Sequence, residues 1–315
     1  MKSLTTHLEH YLAVRRSFGY DLSFTERVLR RFTGFADAQG ANHITVNLFL
    51  QWKEHYGTAN NNTWAGRLSM VRVFATWLKG IEPANEIPKI GLISGRYQRS
   101  KPYIYTNKQI NEIVSHAARL PSVYGLRGIT CSTLLGLIAV TGLRINEALS
   151  LDEKDVNLDD AVIFIKQGKN GKSRFIPISP STVSSLENYR VKLNLIYRCC
   201  SPAFFLFDKG QRPSDCSIRY NFALVCQLIG LRKKEFFYKH GQGARIHDLR
   251  HTFAVRTIID WYRKGLNPDL EMLKLSTYLG HTKPEYTYWY IEAIPELLQL
   301  ASERAEQSLR KKNLI

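Results

Sequence analysis

Six residues between positions 144 and 290 have the types and spacing of a site that acts on phosphate esters. They are Arg144, Glu147, His247, Arg250, His281 and Tyr290. An arginine side chain keeps its charge and can bind two oxygens of one phosphate group. A histidine can transfer a proton near neutral pH, and a tyrosine hydroxyl can act as a nucleophile. Together these groups could cleave a phosphodiester bond without a metal ion, with the two arginines holding the non-bridging oxygens.

Two motifs place four of these residues on helices. In Thr-Gly-Leu-Arg144 the glycine is expected to end one helix and the arginine to begin the next, so that Glu147 can orient Arg144 from one turn away. In His247-Asp-Leu-Arg250 the spacing of three residues puts both side chains on one face of a helix. His251 directly follows this motif and is a competing imidazole, although a core position is the simpler interpretation.

The segment from Val162 to Ile178 has a different pattern from its surroundings. Two runs rich in β-branched and aromatic residues flank Gly-Lys-Asn-Gly-Lys, which predicts two strands joined by a tight basic turn. Lys166, Lys169 and Lys172 in or beside this turn could each bring a cation to a leaving oxygen.

The elements that must carry these motifs form a mainly helical chain with one small β-sheet. We predict a helical N-terminal domain over residues 1–95, a basic linker over 96–105, and a mixed α/β domain over 106–315 that ends in a helix beginning at Pro295. Ser23 with Glu26, and Thr106 with Gln109, have the spacing of capping boxes at helix starts.

The composition indicates a folded protein that binds a polyanion. The net charge is +17, of which +6 falls in residues 1–100 and +11 in residues 101–315. A basic surplus shared by both halves favours an extended nucleic-acid surface over a single basic tail. The five cysteines include no Cys-x-x-Cys pair, and no segment reads as a signal peptide or membrane span, so we expect a cytoplasmic, nucleoid-associated protein without a zinc or disulfide framework.

Eight basic residues are candidates for DNA contacts. They are Arg67, Arg72, Lys79, Arg96, Arg99, Lys101, Lys172 and Arg245. The first three flank the apolar stripe from Trp64 to Leu78, where basic side chains on a solvated surface are an equally good interpretation.

The ordered set of motifs resembles the tyrosine recombinase (phage integrase) family, which includes the Xer recombinases and Cre. That family has an arginine in T-G-x-R-x-x-E, a lysine in a β-hairpin, H-x-x-R, L-G-H, and a tyrosine nine residues after the last histidine. Every element occurs here in the same order, and the resemblance covers roughly residues 102–295. It is weaker in the first half, where Trp64 to Leu78 is similar to the last main helix of the family's core-binding domain.

The resemblance implies a role for each residue. Tyr290 would form a 3′-phosphotyrosyl link, which favours it over Tyr286 and Tyr288, and Arg144 and Arg250 would hold the phosphate. Lys169 would be the general acid for the 5′-oxygen, His247 an acid/base partner, His281 a hydrogen-bond donor, and Glu147 a support for the arginine. The resemblance further implies two domains that clamp double-stranded DNA at an inverted-repeat site. It implies a tetramer on two sites, in which the C-terminal helix from Pro295 to Leu309 docks on a neighbouring subunit, with packing on its own domain as the alternative. It also implies possible accessory DNA-binding proteins, no cofactor, and no use of ATP or metal.

Several alternatives remain at this level. A type IB topoisomerase shares much of this chemistry, and a non-catalytic DNA-binding relative would share the fold. Lys166 to Ser173 ends like a P-loop, but its first glycine is missing and a strand follows. His247 and His251 have the spacing of a zincin, but Asp248 replaces the glutamate. The leading interpretation is a recombinase that serves a mobile element, by integration, excision or cointegrate resolution.

Overall fold

The chain folds into two compact units, residues 1–100 and residues 101–315. The structure is a computed structural model that describes residues 3–95, 101–166, 173–197, 201–233 and 243–312. The described residues are mostly helical, with one small antiparallel sheet in the second unit, as the sequence predicts.

Four helices build the described part of the first unit. They are α1 (Leu4–Ser17), α2 (Ser23–Ala38), α3 (Val46–His55) and α4 (Asn61–Lys79). The side chains of Ser3, Thr45 and Asn60 each accept a hydrogen bond from a backbone N–H in the first turn of α1, α3 or α4, which satisfies donors that a helix start leaves unpaired. The apolar stripe of α4, from Trp64 to Leu78, faces the core as predicted.

The start of α2 differs from the sequence prediction. The predicted capping box of Ser23 and Glu26 is wrong, because the helix has Leu22 at its N-cap and no side-chain cap. The Ser23 hydroxyl instead donates to Asp21, and the Glu26 carboxylate accepts from Arg16 and Arg30. Charged partners nearby therefore compete successfully for both groups that the box would have used.

The second unit contains the remaining described elements. Its helices are α5 (Asn107–Ala118), α6 (Leu126–Thr141), α7 (Ile145–Leu149), α8 (Pro180–Ile196), α9 (Asp215–Leu228), α10 (Ile246–Arg263), α11 (Pro268–Leu279), α12 (Glu285–Ala293) and α13 (Pro295–Lys312). Its strands are β1 (Val156–Asn157), β2 (Val162–Ile165) and β3 (Arg174–Pro177). The predicted capping box of Thr106 and Gln109 is present at the start of α5.

Helix α6 is the central element of this unit. It is apolar on most of its surface and packs against α5, α8 and α10. It ends at Gly142, whose φ of 64° is in the left-handed region that favours glycine. A Cβ atom at this position would also lie only 2.6 Å from the ring of Phe253. The glycine therefore stops α6 where the next residues can turn toward α10.

The three strands pair in the order β1-β2-β3, and both pairs are antiparallel. Ile163 pairs with Ile176, and both are fully buried, while Phe164 and Phe175 pair on the opposite face. The two predicted strands are thus present, and the turn between them, residues 167–172, lies outside the described residues.

The C-terminal helices form a second apolar cluster of this unit. Helix α13 packs against α10 and α12, and its Leu297 is completely buried. Tyr290 of α12 belongs to the same cluster, together with Ile258 and Leu279. In the parts of the chain described, no helix combines the length and apolar character that crossing a membrane requires.

Candidate functional site

Arg144 stands between two helices and is held by the chain on both sides. It caps the start of α7, where its backbone N–H donates to the Glu147 carboxylate at 3.0 Å. Its guanidinium donates to the same carboxylate at 2.8 Å and to the backbone oxygens of Leu279 and Gly280 at 3.3 and 3.0 Å. The side chain keeps 21% exposure, so part of its donor edge faces the surface.

Arg250 comes from α10 and is buried beside the same helix ends. Its guanidinium donates to the backbone oxygens of Gly142 and Leu279, each at 2.7 Å. These oxygens lie at the C-terminal ends of α6 and α11, where helix carbonyls lack intrahelical partners and attract cations. Burial, followed by the charge of Arg144, lowers the pKa of Arg250 to about 9, so it stays protonated at neutral pH.

Glu147 joins Arg144 to a third arginine that the sequence analysis did not place in the site. Arg174, the first residue of β3, donates to both Glu147 oxygens at 3.1 and 2.8 Å, and to the backbone oxygen of Tyr278 at 2.7 Å. Burial raises the pKa of Glu147, but the hydrogen bonds and charges of Arg174 and Arg144 outweigh it and lower that pKa to about 2. The carboxylate therefore stays charged and binds both arginines.

His281 is positioned by the turn that follows α11. Gly280 ends this helix with a φ of 65°, and a Cβ there would lie 2.9 Å from the Arg174 guanidinium. The backbone N–H of His281 donates to Ser276 at 2.9 Å, and its Nδ1 lies 2.7 Å from the Thr287 hydroxyl. Because Thr287 belongs to α12, this contact ties the Leu-Gly-His turn to the helix that carries Tyr290.

His247 lies at the mouth of the site. Its exposed side chain helps to line an open cavity of about 420 Å³, together with Arg144, Glu147 and Lys166. Although one side of the residue is open to the cavity, the protein around the rest of the ring partly desolvates it, and this desolvation, followed by the charges of Arg250 and Arg144, lowers the pKa of His247 below its ordinary value. The imidazole is therefore neutral at neutral pH and can accept a proton.

Tyr290 is the one buried tyrosine among the three candidates. It is 1% exposed, whereas Tyr286 and Tyr288 are 45% and 40% exposed. Its hydroxyl lies 2.8 Å from Nδ1 of His251, which is also buried. His251 therefore occupies the core position that the sequence suggests, but it also contacts the candidate nucleophile directly.

The lysines of the hairpin are only partly described. Lys169 and Lys172 lie outside the described residues. Lys166 is described, and its ammonium group lies 3.1 Å from the Asp152 carboxylate and 2.7 Å from that of Asp155. The ion pairs raise the pKa of Lys166, which makes it a poor proton donor at neutral pH.

The candidate DNA contacts have varied surroundings. The Arg67 guanidinium lies 4.4 Å from the centre of the Trp64 ring, and Arg72 donates to the backbone oxygen of Pro88 at 2.8 Å. Arg245 is paired with Asp248, a buried carboxylate at the start of α10, at 2.9 Å. Lys79 and Lys101 are exposed, and Arg96 and Arg99 lie outside the described residues.

Fold and site together define a DNA strand transferase of the tyrosine type, with one arginine between α6 and α7, a second arginine and a histidine on α10, and a tyrosine on α12. The chain belongs to the phage integrase family, which matches residues 104–296, and is a site-specific tyrosine recombinase.

Individual relatives support this assignment along most of the chain. The chain is 36% identical to y4rB, a candidate integrase/recombinase of Sinorhizobium fredii (strain NBRC 101917 / NGR234), over 98% of both sequences. It is 28% identical to the tyrosine recombinase XerC of Roseiflexus castenholzii (strain DSM 13941 / HLO8), over 73% of this chain and 68% of XerC. The fold is similar to that of the Tn1549 transposon integrase in complex with transposon right end DNA, with a TM-score of 0.64, 15% identity, and coverage of 95% of this chain and 98% of that one.

Proposed function

We propose that this protein cleaves and rejoins DNA through a covalent 3′-phosphotyrosyl link to Tyr290. Arg144 and Arg250 hold the non-bridging oxygens of the scissile phosphate, and Glu147 supports Arg144. His247 is the acid/base partner, His281 adds a hydrogen bond, and Lys169 protonates the leaving 5′-oxygen. The phosphotyrosine conserves the energy of the broken bond, so resealing needs neither ATP nor a metal ion.

The observation that carries this proposal is the convergence of both arginines on the Leu279 carbonyl. Arg144 and Arg250 each donate to that one oxygen, although they are 106 positions apart in the sequence. Two guanidinium groups that share one acceptor must lie side by side, which is the arrangement that binds both non-bridging oxygens of a phosphate. Tyr290 contacts His251 of its own chain, one residue after Arg250, which favours cleavage in cis.

The partner that this chemistry implies is double-stranded DNA with an inverted-repeat site. Both units would contact DNA phosphates, with the exposed Lys79 of the first unit and the exposed Lys101 of the second among these contacts. Because strand exchange joins two sites, we propose a tetramer that serves a mobile element, with accessory DNA-binding proteins as possible partners.

The nucleophile can be tested by replacing Tyr290 with phenylalanine, which keeps the buried ring and removes the hydroxyl. The substrate is a nicked suicide duplex carrying the inverted repeat that the wild-type protein selects from a pool of such repeats. Tyr290→Phe should bind this duplex with unchanged affinity and form no covalent adduct on a denaturing gel.

Tyr288→Phe is the matched control, because it removes an exposed hydroxyl from the same helix and should form the adduct at the wild-type rate. An adduct that persists in Tyr290→Phe and disappears in Tyr288→Phe would assign the nucleophile to Tyr288 instead.

A further inference from the structure

His251 contacts the candidate nucleophile, yet the proposed function gives it no part in the chemistry. Its Nδ1 atom lies 2.8 Å from the Tyr290 hydroxyl, across 39 positions of sequence. Both residues are almost completely buried, so water does not compete strongly for this hydrogen bond. A buried tyrosine hydroxyl needs a hydrogen-bond partner, and one partner of Tyr290 is a group that can take up a proton.

The two histidines of α10 face different parts of the site. The His247 ring is exposed at the cavity beside Arg144, while the His251 ring lies one turn further along the helix, against α12. Their ring centres are 4.6 Å apart with the planes nearly perpendicular. His247 therefore faces the cavity that would take the phosphate, where it can exchange protons with the phosphate oxygens, and His251 faces the candidate nucleophile.

We propose that His251 is a further residue of the strand-transfer site, which positions the Tyr290 hydroxyl and accepts its proton during attack. This inference rests on the proposed function. In the step, the Tyr290 O–H bond breaks and its proton moves to Nδ1 of a neutral His251, which becomes an imidazolium. The tyrosine oxygen bonds to phosphorus, the bond from phosphorus to the 5′-oxygen breaks, and Lys169 supplies the proton to that oxygen. Rejoining reverses each transfer.

The groups around His251 are consistent with this exchange. Tyr290 faces the ring from α12, and the Trp289 ring of the same helix lies 5.8 Å away, centre to centre. From its own helix, His247 contacts the ring and Arg250 is its neighbour in sequence. Arg250 would stabilise the negative charge that develops on the tyrosine oxygen, since the charged forms of these two groups attract each other.

The test measures the rate of adduct formation on the suicide duplex against pH. His251→Phe keeps an aromatic ring but has no acceptor, and should slow adduct formation by about a hundredfold at neutral pH. His251→Asn keeps an oxygen or nitrogen near the Nδ1 position but cannot titrate. It should therefore be faster than His251→Phe, and its rate should not decline on acidification, whereas the wild-type rate should decline as His251 becomes protonated. His116→Phe is the matched control, because this histidine of α5 bonds only to its own helix at Glu112 in the described contacts.

A fluorinated tyrosine at position 290 separates proton transfer from packing. Its hydroxyl is more acidic, so it should restore the rate of His251→Asn by a larger factor than it changes the wild-type rate. Equal factors in both proteins, an unchanged pH profile in His251→Asn, or a His251→Phe rate at or above wild type would each overturn the proposal. Mapping the adduct by mass spectrometry distinguishes this failure from failure of the proposed function, in which the wild-type adduct would not be at Tyr290.

Discussion

At the scale of single residues, Arg144 and Arg250, the two arginines proposed to hold the scissile phosphate, differ in how they can contact DNA. Arg144 keeps an exposed edge, whereas Arg250 is 1% exposed and donates to the carbonyls at two helix ends. A phosphate can therefore reach Arg144 directly, and it can reach Arg250 only after the residues that cover it have moved. The two residues should consequently respond differently to substitution.

Arg144→Ala removes one charged donor to the transition state from a partly exposed position, together with its hydrogen bonds to Glu147, Leu279 and Gly280. We expect cleavage to slow by two to three decades, which corresponds to about 3–4 kcal/mol, with DNA affinity nearly unchanged. Arg250→Ala should show the same loss of rate and a larger fall in melting temperature, because it empties a buried position, removes the arginine that donates to the Gly142 oxygen, and removes one of the two arginines that donate to the Leu279 oxygen. A single-turnover cleavage rate within threefold of wild type in either variant would contradict the proposal that this arginine holds the scissile phosphate.

Lys169 lies outside the described residues, so its proposed role as general acid is tested through the chemistry of the leaving group. If it protonates the 5′-oxygen, Lys169→Ala should strongly impair cleavage of an ordinary duplex, and the defect should largely vanish on a 5′-phosphorothiolate, whose sulfur leaves without a proton. Lys172→Ala should match the wild-type protein on both substrates. Lys169 would instead only position DNA if the two substrates were impaired equally.

At the scale of elements, Arg174 is the connection between the sheet and the site. It joins β3 to α7 through Glu147 and to the end of α11 through the Tyr278 oxygen. Lys169 lies in the sequence between β2 and β3. Because Arg174 belongs to β3, its contacts fix the position of this strand relative to Arg144 and Arg250. Arg174 acts on Arg144 through Glu147 and is not proposed to contact the phosphate, so we regard it as a positioning residue.

Arg174→Ala should therefore slow cleavage by about tenfold or more, with a smaller effect on DNA affinity, because Glu147 loses one of the two arginines that hold it in place beside Arg144. Arg174→Lys keeps the charge but cannot bind both Glu147 oxygens in the same geometry, and should recover only part of the rate. Arg190→Ala is the control, since Arg190 makes an exposed ion pair with Glu153 elsewhere in the unit. A rate equal to that of the control would show that the hairpin holds its place without Arg174.

The elements themselves were largely predictable, but some contacts between them were not. Local patterns were enough for the stripe of α4, the glycine that ends α6, and the two strands of the hairpin. The contact of Arg174 with Glu147 spans 27 positions, and that of His251 with Tyr290 spans 39. Periodicity reports only which face of an element is buried, so it cannot assign a partner on another element. The Ser23 cap failed for a related reason, since ion pairs of Glu26 with Arg16 and Arg30 outweigh the local motif.

At the scale of the whole molecule, the Glu147 carboxylate couples the site to stability. Its pKa is about 2, below the ordinary value of 4.5, and this difference corresponds to about 3 kcal/mol of unfolding free energy. That contribution is complete above pH 4.5 and is lost as the pH falls toward 2, because the carboxylate then becomes protonated in the folded protein as well.

Glu147→Gln should therefore be less stable than the wild-type protein at pH 7, and the difference should shrink steadily between pH 4.5 and pH 2. Denaturant unfolding of both proteins across this range measures it. Glu112→Gln, which alters an exposed pair with Lys108, is the control and should show no such trend. A difference that stays constant with pH would mean that Glu147 contributes through shape alone.

Tyr290 is buried, while two other tyrosines of the same helix are exposed, so chemical modification of these three rings can report whether the site is open. Tyr286 and Tyr288 lie open to a nitrating agent such as tetranitromethane, whereas Tyr290 is shielded by the apolar cluster around it. In the absence of DNA, nitration should mark the two outer rings and spare the inner one. Attack on a phosphate requires the Tyr290 hydroxyl to become accessible. Nitration of Tyr290 that appears only after the selected duplex is added would therefore show that DNA binding opens the site, independently of strand cleavage.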